Sequence, residues 1–156
     1  MKLLFTIFLL CAITACTPQY DWREVRTNTQ TAQYVKALFP NKPATVSRTV
    51  TLNATVYELT LTASQMGDEK TPTLFAVGYI RAKNLIEAQA ITAALAQDWA
   101  RKVDPARYQL DAKYTPTPTA AYEIIVLSPK DAAGKISALQ KEAVDTFINN
   151  ATLLQK

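Results

Sequence analysis

Side chains that can act as nucleophiles, general bases or metal ligands are scarce in this sequence. Its 156 residues contain no histidine and two cysteines, Cys11 and Cys16. Without an imidazole, Ser-His-Asp and Cys-His nucleophilic sites are excluded, and so are zinc sites built from several thiolates and imidazoles. Carboxylates and Ser/Lys combinations remain. Asp68 and Glu69 are adjacent in a Gly-containing polar stretch, where solvated loop charges are expected. Ser128 and Lys130 flank Pro129, and Ser137 stands four residues before Lys141, but the S-x-x-K spacing of lysine-activated serines is absent. The run MGDEKT (66–71) is too poor in oxygen ligands for an EF-hand loop. The sequence therefore predicts no catalytic residue, no metal site and no cofactor: a non-enzymatic protein.

Cys16 has a different chemistry available. Lys2 is followed by an apolar run from Leu3 to Ile13. As a helix this run spans about 16 Å, well short of a bilayer core of about 30 Å, and its length fits a secretory signal. Ile13-Thr14-Ala15-Cys16 resembles the lipobox of bacterial lipoproteins, an aliphatic residue and two small ones before cysteine. The resemblance implies cleavage before Cys16, diacylation of its thiol and acylation of the new amine. Two or three acyl chains suffice for stable anchoring. Thr17, where an aspartate would signal retention, implies the outer membrane, on its periplasmic side. The competing readings are a plain signal peptide cut near Ala15 and an uncleaved apolar anchor. The expected organisation is a signal peptide over 1–15, lipidated cysteine and tether over 16–19, and one domain over 20–156.

The tether is short. Thr17, Pro18 and Gln19 reach about 10 Å when extended, so the domain is expected against the headgroups, with Arg23 and Arg26 as membrane-surface contacts. The chain carries a net charge of +4, of which Lys2 leaves with the leader. That mild excess, with Arg101, Lys102, Lys130, Lys135 and Lys141 not interleaved with aromatics, argues against a nucleic-acid partner. The expected partners are the membrane, through the lipid, and a protein of the envelope. The sequons at Asn53 and Asn150 are read as chance.

The elements that must hold these residues follow from periodicity. Tyr20–Arg26 and Gln33–Phe39 read as a strand hairpin, with Trp22 inward, stopped by Pro40 and Pro43. Thr45–Asn53 and Thr55–Ala63 are β-branched runs joined by a tight turn at Asn53-Ala54. Thr73–Arg81 is nearly all apolar, as in a strand covered on both faces. Asn84, with Glu87 three residues on, opens a helix in capping-box spacing, with Ala88, Ile91, Leu95 and Trp99 on one stripe. Arg107–Tyr114 and Tyr122–Leu127 read as strands. The TPTPT between them (115–119) is expected to be extended and exposed. Ile136–Asn149 reads as a second helix with Ile136, Leu139, Ala143, Phe147 and Ile148 inward. The order predicts an α+β fold, an antiparallel sheet flanked by two main helices.

Leu38-Phe39-Pro40-Asn41-Lys42-Pro43 after an aromatic strand resembles the FPxKP segment of PsbP-like proteins and the DcrB-type lipoproteins related to them. Glu142–Ile148 (EAVDTFI) resembles their closing helix, and DWREVR the opening of small proteobacterial lipoproteins. The resemblance implies an α/β/α sandwich and no particular activity. Two functions follow as expectations: a membrane-anchored binding or accessory module of the envelope, or a periplasmic carrier of a small apolar or amphipathic ligand, held between the first helix and the sheet by aromatics such as Trp22, Tyr57, Phe75 and Trp99.

Overall fold

A computed structural model describes residues 20–27 and 32–156. The chain runs β1 (Arg23–Thr27), β2 (Gln33–Phe39), β3 (Ala44–Leu52), β4 (Thr55–Met66), β5 (Thr73–Arg81), α1 (Leu85–Lys102), β6 (Tyr108–Pro116), β7 (Ala120–Pro129), α2 (Ala138–Asn150) and β8 (Thr152–Gln155). The α+β class and the antiparallel pairing are as expected. The strands form two sheets, a five-stranded one in the order β3-β4-β5-β7-β6 and a three-stranded one in the order β1-β2-β8.

The larger sheet divides the core. On one face α1 lays Ala88, Ile91, Ala94 and Leu95 over Leu52, Leu59, Ile80 and Ala121. On the other, Phe75, Val77, Tyr122, Ile124 and Val126 meet β2 (Val35, Ala37, Phe39) and α2 (Ala143, Val144, Phe147). Phe147 is the keystone there, edge-on to Phe39 at 5.1 Å and to Phe75 at 5.3 Å between ring centroids. The second helix thus shares its layer with a small sheet.

Local signals account for most boundaries. β2 and β5 have the expected limits. The β3–β4 turn holds Asn53 at φ +48° and Ala54 at φ +64°, the doubly left-handed form that suits the twist of a two-residue hairpin. Asn84 caps α1, its Oδ1 accepting from the Glu87 amide at 2.9 Å. The Glu87 carboxylate turns to the Lys83 amide instead, so this box is only half formed. A complete one opens α2, where Ser137 Oγ accepts from the Gln140 amide and Gln140 Oε1 from the Ser137 amide.

Three expectations are corrected. TPTPT is a hairpin turn, with Thr115 and Pro116 inside β6. Thr117 is buried, its amide and hydroxyl donating to the Ala120 carbonyl at 2.8 and 2.9 Å. Leu139 lies exposed on α2 and Val144 takes an inward place, because α2 begins at Ala138 and its stripe is Ala143, Val144 and Phe147. The first strand starts at Arg23, with Val25 and Thr27 inward. Trp22 precedes it and packs half-buried on the core beside Tyr20.

Candidate functional site

β6 pairs only with β7, and β8 only with β2. Where these two edges face each other the sheets part and leave a seam. Tyr122 bridges its depth, its hydroxyl donating to the Gln33 carbonyl at 2.9 Å. Beside it is a cavity of about 320 Å³, lined by Val35, Tyr122, Ile124, Ala151 and Leu153, with Lys113, Thr115 and Thr152. The first four of these residues belong to the buried core, so the cavity is apolar at its base. Further along, between the turn of the former TPTPT and the ends of β2 and β8, lies a space of about 270 Å³ lined by Ala32, Gln33, Pro118, Thr119, Gln155 and Lys156. A lysine lines each space, and neither lining includes an aspartate or glutamate. Such walls suit a molecule with an apolar body and an anionic or polar head.

The pocket expected between the first helix and the sheet is not where this cavity lies. α1 seats Ala88, Ile91 and Leu95 directly on the sheet, and the seam opens on the opposite face.

Cys16 lies outside the described residues. Arg23 and Arg26 are both exposed on β1, and each has a carboxylate beside it. Arg23 is ion-paired with Asp21. Arg26 lies 3.9 Å from Glu24, with its guanidinium 5.8 Å from the centre of the Tyr34 ring. Glu24 also faces Lys36 at 3.7 Å. The patch is a mixed-charge surface whose basic excess is a single charge. Arg101 and Lys102 are likewise held, both by Asp98, at 2.6 and 2.5 Å.

Sequence reasoning passed over one group, Glu123. It lies in the middle of β7, fully buried, on the α1 face of the sheet. The Trp99 indole N–H donates to its Oε2 at 2.9 Å, while Oε1 has no hydrogen-bond partner among the described residues. Across the ladder it faces Gly78 on β5 and Tyr114 on β6. Burial raises its pKa from 4.5 to about 7, against the Trp99 hydrogen bond and the charge of Arg48, which favour the carboxylate. Burial, and then the Glu123 charge, push the Tyr114 hydroxyl up to about 12. The signal was legible in principle: one charge inside AAYEIIVLS, a run apolar enough to be covered on both faces. Glu123 is thus a buried acid held by Trp99 and facing the Tyr114 phenol across the ladder, with desolvation favouring its protonated form.

No family model, curated protein or solved structure matches this chain in comparison with known proteins. No helix among the described residues is long and apolar enough to cross a membrane.

Proposed function

We propose that the chain is a lipid-anchored protein of the bacterial cell envelope, on the periplasmic side of the outer membrane. Its PsbP-like domain serves there as a non-enzymatic binding or accessory module for an envelope protein. The observation that carries this reading is Ile13-Thr14-Ala15-Cys16 at the end of an eleven-residue apolar run. Tyr20 and Trp22, four and six residues after Cys16, already pack on the core, which supports a domain held close to its anchor. The absence of histidine from the sequence supports a role outside nucleophilic catalysis. Cys16→Ser tests the anchor. In cells fed an alkyne fatty acid, the variant should lose the label and leave the membrane fraction. Unchanged processing and membrane retention would sink the reading.

A second reading, a carrier of a small amphipathic ligand, is favoured by the seam, with its apolar base and lysines but no Asp or Glu in its lining. Native mass spectrometry of the protein purified from cells should then show a co-purifying anionic amphiphile. Leu153→Trp, which fills the seam, should remove that mass.

A further inference from the structure

Four strand edges are free in the two sheets of the described residues: β1, β8, β6 and β3. An unpaired edge offers a row of N–H and C=O groups to any other strand, and folds normally blunt it with charge, proline, shortness or a bulge. β1 has five residues, of which Arg23, Glu24 and Arg26 are charged. β8 has four. β6 carries Asp111, Lys113 and Pro116. β3 is different. It runs nine residues, Ala44–Leu52, and its pairing with β4 is unbroken from Ala44–Ala63 to Leu52–Thr55, so no bulge twists it away. Its one charge is Arg48, and five of its nine residues are β-branched.

The register shows which groups face outward. The two-residue turn at Asn53-Ala54 makes Leu52–Thr55 the closing hydrogen-bonded pair, and in an antiparallel ladder bonded pairs alternate. Residues 52, 50, 48, 46 and 44 therefore spend their backbone groups on β4. Thr45, Ser47, Thr49 and Thr51 point theirs away from the sheet. Their side chains form a hydroxyl row on the face opposite α1, and that row already pairs with hydroxyls of β4: Thr45 with Thr62 at 2.9 Å and Ser47 with Thr60 at 3.0 Å.

We infer that β3 is the pairing edge for a second copy of this chain, with two β3 strands joined antiparallel about a two-fold axis centred on Ser47. The chemistry of the edge is complementary to itself in that register. Ser47 meets Ser47 of the second copy and Thr45 meets its Thr49, which extends the hydroxyl row across the junction. Arg48 meets Val46, an apolar side chain left 56% exposed, so the long arginine stem covers it while the guanidinium reaches water. A register centred on Arg48 would set two guanidiniums opposite each other, a destabilising like-charge pair. The axis is perpendicular to the joined sheet. Both α1 helices stand on one face and both β1-β2-β8 layers on the other, with both Tyr20 ends on that second face. The arrangement is therefore compatible with two lipid tethers on one membrane, although the pairing does not depend on them.

The test is the protein mass of the full chain in detergent, by light scattering corrected for bound detergent, with and without Cys16→Ser. Two chains per particle are expected in both forms. Ser47→Cys should form a disulfide-linked dimer whose link maps to residue 47. Thr49→Pro removes an outward N–H that β4 does not use, and Ser47→Lys sets like charges at the axis. Each should give single chains with an unchanged circular dichroism spectrum. A single chain for the unaltered protein, including one that captures a strand of another protein instead, overturns the inference. A dimer that survives both substitutions in folded protein also overturns it.

Discussion

Gly78 and Glu123 face each other on neighbouring central strands, and the glycine exists for the acid. A Cβ at position 78 would stand 2.8 Å from Glu123 Oε1, 2.9 Å from its Cγ and 2.9 Å from Leu61 Cδ2. Leu61 can turn its methyl aside, but Glu123 is fully buried and tied to Trp99. The backbone there needs no glycine for conformational reasons, since only Gly67 and Gly134 have positive φ among the described glycines. What the position requires is room.

Gly78→Ala should therefore destabilise by about 1–3 kcal/mol, the usual cost of overpacking a fixed core site. Glu123→Ala in the same chain should return part of that loss, because the added methyl then meets space. A double-mutant cycle from urea melts should give a favourable coupling of about 0.5–3 kcal/mol. Additive losses would show that Glu123 does not set the demand for glycine.

Glu123 should also make stability depend on pH. Its folded pKa is about 7 against 4.5 as the ordinary value, so the folded chain holds a proton that the unfolded chain releases. Stability is then greatest below about pH 4.5 for this group, falls as pH rises through the window from 4.5 to 7, and is flat above it. The full change is about 3 kcal/mol. Glu123→Gln keeps an acceptor for Trp99 and has no proton to lose, so its melting temperature should lack this slope and exceed that of the unaltered chain at pH 8. The Trp99 indole proton, followed by NMR, should shift with a midpoint near 7 in the unaltered chain only.

How far the sequence led is visible in the same residues. Runs whose pattern is local were legible: the apolar β5, the β2 boundaries and the turn at Asn53-Ala54. The second sheet was not, because it depends on β2 pairing with β8, Gln33 with Gln155, at a separation no local pattern reveals. Thr152–Gln155 by itself is four residues with a polar residue at each end, too short to read as a strand. TPTPT looked exposed because its composition is that of a linker, yet Thr117 is held by hydrogen bonds to Ala120 that only a closed hairpin provides. The seam follows from those two misses, since β8 forms one wall and the TPTPT hairpin the other. Glu123 was within the strand that was read, but its neighbour on the ladder, Gly78, was not knowable without the register.

Arg23 and Arg26 were expected to meet the membrane, and their carboxylate neighbours change what should be measured. Arg23→Ser with Arg26→Ser should weaken binding of the Cys16→Ser chain to anionic vesicles at low salt. Near such a surface each basic residue is worth about 1 kcal/mol, so the loss should be no more than about thirty-fold. Asp21→Asn with Glu24→Gln unmasks both arginines and should strengthen binding, and salt should erase both effects. Vesicle sedimentation reads all three. Equal binding of every variant at low salt would remove this surface from the contact.

The β3–β4 turn offers the cleanest gain in stability. Ala54 sits at φ +64°, where its Cβ crowds the following carbonyl at a cost of about 1–2 kcal/mol. Asn53, at φ +48°, tolerates that region better, because its short polar side chain can hydrogen-bond locally. Ala54→Gly produces the Asn-Gly pair that two-residue hairpins favour. The relief is partly offset because glycine gives the unfolded chain more freedom, by about 0.4–1 kcal/mol. The net expectation is a rise of about 0.5–1 kcal/mol in unfolding free energy, read as a higher urea midpoint with an unchanged slope. The opposite substitution makes the argument sharper. Ala54→Val adds a β-branch in the same left-handed conformation and should lower stability by more than Ala54→Gly raises it, since branching at Cβ worsens the clash that alanine already has. If valine proved neutral there, the turn would not hold residue 54 in the left-handed region, and the hydrogen-bond alternation that assigns Thr45, Ser47, Thr49 and Thr51 to the free edge would lose its starting pair.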